Sequence, residues 1–113
     1  MEYLLLVCED PNAEPYDPAL DNIEEWVAST DGMGTRRQGD RLAKADAART
    51  VRVRGGELSV TEGPFAELGE LIAGYDLLEC DSLEQAVEIA AQHPMARFGQ
   101  IEVRPIWTLG LHA

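Results

Sequence analysis

Residues Tyr3-Leu4-Leu5-Leu6-Val7-Cys8 are apolar at every position. Successive side chains of a strand point to opposite faces, so a strand with one wet face alternates apolar and polar residues. This run does not alternate, and both of its faces therefore need cover. A second run, Ile72 to Cys80, also lacks clean alternation, with Leu77 and Leu78 adjacent. A chain of 113 residues has room for about one core. Residues 1–113 read as a single domain in which two central strands are covered on both sides.

The remaining elements follow from local signals. Asp10 to Pro18 holds three prolines and reads as a loop. Asp17-Pro18 is a helix start, with Asp17 as N-cap and Pro18 at the first helical position. Leu20, Ile23, Trp26 and Val27 recur at helical spacing, while Asp21, Asn22, Glu24 and Glu25 face away, to about Asp31-Gly32. Met33 to Ala48 is a loop or irregular strand. Thr50-Val51-Arg52-Val53-Arg54 and Glu57-Leu58-Ser59-Val60-Thr61 alternate about Gly55-Gly56, the pattern of a hairpin with a primed turn. It predicts Val51, Val53, Leu58 and Val60 toward the protein and Arg52 and Arg54 outward. Ser82-Leu83-Glu84-Gln85 is a capping box opening a helix with Leu83, Ala86, Val87, Ala90 and Ala91 at helical spacing. Pro94 stops it. Gly99 to Ile106 is a last strand with Ile101 and Val103 inward, and Trp107 to Ala113 is an apolar tail.

Two strand–helix–strand halves and an inserted hairpin predict an α+β, ferredoxin-like fold: an antiparallel sheet with both helices on one face. The other face needs cover, and a second copy supplies it most simply. The expectation is a homodimer, sheet against sheet, a dimeric α+β barrel.

Nine Lys and Arg against 21 Asp and Glu give a net charge of −12. Nucleic-acid binding runs on cations, so neither nucleic acid nor an anionic membrane is an expected partner. No run approaches the roughly 18 apolar residues of a membrane span. Met1-Glu2-Tyr3 brings no basic segment ahead of the first apolar run, which argues against a secretory signal. Cys8 and Cys80 lie outside redox or metal spacing and read as buried structural thiols, which fits a reducing cytoplasm. Arg36, Arg37, Arg41 and Lys44 form a basic cluster with two readings: neutralising the protein's own acids, which we favour, or binding an anion. Nucleophile elbow, phosphate loop, dinucleotide fingerprint and zinc-helix motifs are absent, and two separated histidines do not make a metal site. No cofactor is expected.

The remaining feature is a turn, Thr61-Glu62-Gly63-Pro64-Phe65-Ala66-Glu67, with two carboxylates and an apolar anchor between strands. Its Glu62-Gly63-Pro64-Phe65 resembles the Asp-Gly-Pro-Phe signature of the DGPF branch of the YCII-related proteins. The opening Met1 to Leu6, Thr50-Val51-Arg52 with Gly55-Gly56, Gly74-Tyr75, Ser82 to Ala86, His93 to Gly99 and Ile101 to Ile106 resemble the family's other segments. The resemblance implies a ferredoxin-like dimeric barrel, and for some members a link to sigma-factor regulators. YCII proteins proper have been proposed as enzymes with a His–Asp pair. Here the signature's Asp is Glu62, Glu67-Leu68-Gly69-Glu70 replaces a common Glu-Thr-Lys-Glu, and the first helix holds no His, so that pair cannot be assembled from matching positions.

The candidate site is Glu62, Phe65, Glu67, Tyr75 and Arg104. Glu62 is either a general base or a turn cap paired with Arg52, Arg54 or Arg104. Tyr75 presents its hydroxyl to a cleft or packs in the core. Arg104 grips a carboxylate or makes a strand-end ion pair. His93 is read as a helix C-terminal residue meeting the dipole, His112 as a disordered or surface group in the tail. The expected function is a homodimeric small-molecule-binding or accessory protein with its cleft near this turn. The alternatives are a cofactor-free enzyme using Glu62, and an interaction module of a sigma-factor pathway.

Overall fold

The computed structural model describes residues 1–63 and 72–107. Six strands are present among them: β1 Glu2–Cys8, β2 Arg36–Arg41, β3 Arg49–Arg54, β4 Glu57–Glu62, β5 Ile72–Glu79 and β6 Gln100–Pro105. The helices are α1 Ile23–Gly32, α2 Leu83–Ala91 and the single turn α3 Met95–Phe98. Four strands form one antiparallel sheet in the order β2-β5-β1-β6. This is the ferredoxin-like order, and the two non-alternating runs occupy its centre as expected.

Tyr3, Leu5 and Leu78 of the sheet are buried with Trp26 of α1 and Ala86 and Ala90 of α2, so both helices cover the same face. The opposite face carries Leu4 and Leu6, half-buried, with no helix on it. In one chain the central strands are therefore fully covered on one side only.

Three local expectations change. Asp17 caps a 3-10 turn, Pro18–Leu20, and α1 starts only at Ile23. Asp21 is extended there, and its Oδ1 accepts from the Ile23 N–H at 3.2 Å. A short carboxylate bonding the backbone locally interrupts the helix, and Leu20 is left exposed. On α2 the sheet-facing residues are Ala86 and Ala90, with Ile89 half-buried beside them, whereas Leu83 and Val87 are exposed. Alanine at the contact lets the helix lie close to the sheet. The capping box forms, but Gln85 Oε1 reaches back to the Asp81 N–H, 2.6 Å, while Ser82 Oγ accepts from the Gln85 N–H, 3.1 Å.

The third change concerns the hairpin. β3 and β4 pair in the expected register as a separate two-stranded sheet. Val51, Val53, Leu58 and Val60, expected to face the protein, are 56–68% exposed. The hairpin stands off the body as an arm. The segment before it settles as the edge strand β2, with a bulge between Arg36 and Gln38. Ile101 and Val103 point inward as expected. Cys80 is buried, Cys8 half-buried, and both are free thiols.

Leu78 is fully buried and Val87 is not. Leu78→Ala should cost about 2–5 kcal/mol of stability, and Val87→Ala less than about 1 kcal/mol, read from urea midpoints at unchanged slope.

Candidate functional site

β5 carries an acid on its helix-facing side. Gly74, Asp76 and Leu78 alternate as buried residues, and Asp76 is 5% exposed. A buried carboxylate needs a partner. Arg36, on the neighbouring edge strand, donates from Nε to Asp76 Oδ1 at 2.8 Å. The same guanidinium donates from Nη2 to the Gly39 carbonyl, 2.9 Å, and from Nη1 to Asp31 at the end of α1, 3.2 Å. Gly39 makes room for the pair: a Cβ there would stand 2.0 Å from Asp76 Oδ1. Burial raises the Asp76 carboxyl above its ordinary pKa, and the Arg36 hydrogen bond and charge pull it back. This pair realises the favoured reading of the basic cluster for Arg36.

His93 sits on the other side of Asp76, its Nε2 3.9 Å from Oδ2 and its side chain 6% exposed. It stands at the C-terminal end of α2, as expected from sequence, with its N–H donating to the Ala90 carbonyl, 3.1 Å, and its side chain turned into the core. Its Nδ1 accepts from the Met95 N–H, 2.9 Å. With Nδ1 so engaged, the neutral ring carries its proton on Nε2, toward Asp76. Burial lowers the pKa to about 4. Trp26 packs edge-on against the ring, with centroids 4.6 Å apart, and donates from its indole N–H to the Ile89 carbonyl, 2.9 Å. A base needs an open lone pair; this imidazole has its acceptor nitrogen tied to the backbone and its other nitrogen protonated. In this arrangement Nε2 stands beyond hydrogen-bond distance of Asp76, and the ring is held by the Met95 N–H and by packing on Trp26.

An open hollow of about 630 Å³ lies outside His93. Glu14, Asn22, Gln92, His93 and Arg97 supply its polar lining, and Leu20, Pro94 and two alanines its apolar part. Asn22 closes one side by donating from Nδ2 to the Gln92 carbonyl, 3.0 Å. Arg97 gives one N–H to Glu14, 3.4 Å.

Among the described residues singled out from sequence, Glu62, Tyr75 and Arg104 do not meet in one chain. Tyr75 and Arg104 lie on the helix-free face, separated by β1: Tyr75 is opposite Leu6, and Arg104 opposite Leu4. The Tyr75 hydroxyl accepts from Gln38 Nε2, 2.7 Å, and Arg104 pairs with Glu102. Glu62 ends β4, exposed, across from Arg49, and makes no ion pair with Arg52, Arg54 or Arg104. Phe65, Glu67 and His112 lie outside the described residues. Among the described residues no cluster of three or more metal-binding side chains occurs, and no helix is long and apolar enough to cross a membrane. Sequence reasoning passed over Asp76. The signal was an acid in the middle of a largely apolar central strand.

The YCII-related domain model matches residues 1–109. The chain belongs to the YCII-related domain family. An uncharacterized protein of Rhizobium meliloti (strain 1021) is 41% identical over 68 residues, 58% of this chain and 55% of that protein. The match thus spans about half the length of that curated relative. Among solved structures, 5-chloro-2-hydroxyhydroquinone dehydrochlorinase from Burkholderia phenoliruptrix, in complex with 2,5-dihydroxybenzoquinone, is similar at 15% identity and a TM-score of 0.49, over 99% of this chain and 98% of that one.

Two outcomes test the buried network of this YCII-related domain. Arg36→Met strands a buried carboxylate and should cost about 3 kcal/mol or more, while Asp76→Asn should cost far less. The double variant should then be more stable than the sum of the two, as read from a denaturation cycle. His93→Asn keeps an acceptor for the Met95 N–H and removes the titration. The folded pKa of His93, about 4, lies below the ordinary 6.5, so the unfolded chain binds the extra proton between those values. The His93 contribution is complete above pH 6.5 and is lost as pH falls toward 4. Asp76, raised in the fold, works the opposite way but is common to both proteins. Wild type should therefore lose about 2–3 kcal/mol relative to His93→Asn across that window, and parallel acid limbs would disprove the assignment.

Proposed function

We propose that this YCII-related protein is a homodimer that binds a small carbonyl- or carboxylate-bearing molecule in the hollow outside His93. The hollow carries the reading. Its volume of about 630 Å³ falls within the roughly 300–1,000 Å³ of small-molecule sites, and its walls are more polar than apolar. Arg97 has guanidinium donors beyond the one given to Glu14, in the fork geometry that suits a carboxylate. Asn22 and Gln92 add amide groups at the rim. Beneath them the buried Arg36–Asp76–His93 network fixes the wall that the ligand meets, so binding needs little reordering.

The dimer reading rests on the sheet. Leu4, Leu6, Tyr75 and Leu77 form a half-buried strip on the helix-free face. A second copy laid on that strip covers both central strands on both sides, as the unbroken apolar runs demand. Tyr75 and Arg104 would then line the interface.

Titration of the labelled protein with benzoate, followed by amide chemical shifts, should move Gln92, His93 and Arg97 together and saturably. Arg97→Ala should weaken this at least about tenfold. Shifts scattered over the surface, or the same affinity in Arg97→Ala, would remove the hollow as the site.

A further inference from the structure

Charge is divided unevenly along this chain. Seven of its nine Lys and Arg fall within residues 36–54, alongside two acids, Asp40 and Asp46. The rest carries Arg97 and Arg104 against the other 19 of 21 acids. In the fold that cationic segment is the edge strand β2 and the first strand of the detached arm. An acidic body would repel a copy of itself, and the segment 36–54 is where a second copy can approach with attraction.

The arm presents an apolar face with a charged border. Val51 is opposite Val60 and Val53 opposite Leu58, all on one side, with Arg49 and Glu62 facing each other at the root. Arg52 and Arg54 project from the other side. A two-stranded hairpin alone is marginally stable in water, and four such side chains at 56–68% exposure call for a surface to lie on. The helix-free sheet face is the apolar counterpart: its middle is Leu4 and Leu6, and its border carries Glu2, Glu79 held by the N-terminal amine, and Glu102 paired with Arg104.

We propose that the arm β3–β4 reaches to a second copy of the chain and lays its apolar face along the margin of that copy's helix-free sheet face. The inference rests on the dimer reading above and extends it. Each copy lends the other the apolar face of its arm, and Glu62, at the arm's root, is brought to the partner's surface.

Sedimentation equilibrium of the full chain, with circular dichroism to check folding, tests this. Wild type should associate to twice 12.4 kDa at micromolar concentration. Leu58→Glu should weaken the dimer at least about tenfold, and Leu58→Thr by a smaller factor. Leu6→Glu, in the middle of the sheet face, should dissociate it independently of the arm. Photoreactive p-benzoylphenylalanine in place of Leu58, in a mixture of light and heavy-isotope chains, should give cross-links between copies onto the β1 segment. Should Leu58→Glu misfold, Leu58→Thr and the cross-links decide. A wild-type dimer that both Leu58 variants leave unchanged, with cross-links only within one copy, overturns the arm and leaves the sheet dimer standing. So does a dimer untouched by the Leu58 variants whose arm binds a duplex oligonucleotide, which would assign the arm to an anionic polymer. A wild-type monomer overturns both.

Discussion

A carboxylate on the buried side of a central strand is the constraint on which much of this structure turns. Asp76 cannot stay ionised between sheet and helices without a cation. Arg36 answers from the next strand, and its guanidinium also binds the Gly39 carbonyl and Asp31. One side chain thereby ties β5, β2 and the end of α1. Gly39 is held to glycine by the same pair, because any Cβ would collide with the carboxylate. On the far side, His93 and Trp26 seal the pocket. The network ties the edge strand β2 to β5 through side chains as well as through its backbone ladder. A polar knot of this kind adds little net stability over an apolar packing of equal shape, but removing one partner is costly.

The same knot shows why a histidine near an aspartate is weak evidence of catalysis. What matters is which nitrogen is open. In His93 the backbone N–H of Met95 takes Nδ1, and burial keeps the ring neutral. The amide and guanidinium groups of the hollow lie beside it.

The order of elements and the central place of the two non-alternating strands were legible because hydrophobic period and strand burial are directly coupled. The capping box, the hairpin register and the inward Ile101 and Val103 were legible for similar local reasons. Three things were not. The break at Asp21-Asn22 is a competition between side-chain and helical hydrogen bonds that spacing does not reveal. The outward turn of Leu83 and Val87 follows from how closely α2 approaches the sheet, a tertiary fact. The Arg36–Asp76–His93 cluster joins residues 40 and 17 positions apart, and each member alone reads as an ordinary surface charge or helix end. Within the Asp-Gly-Pro-Phe-like signature, only Glu62 and Gly63 are among the described residues.

Those two residues place the signature at the root of the arm. Gly63 takes φ 85°, a backbone state that disfavours side chains. Its N–H donates to the Ala48 carbonyl, 2.8 Å, and its own carbonyl accepts from the Thr50 hydroxyl, 2.8 Å. These bonds clasp the two ends of the hairpin and set Glu62 opposite Arg49. A residue with a Cβ at position 63 would open the clasp and let the arm's register drift, and with it the apolar face that alternation builds. The glycine of the signature is thus explained by architecture, whatever chemistry Glu62 performs. On the arm reading, the carboxylate acts only against the surface the arm is pressed upon, so any site it serves is shared between two chains.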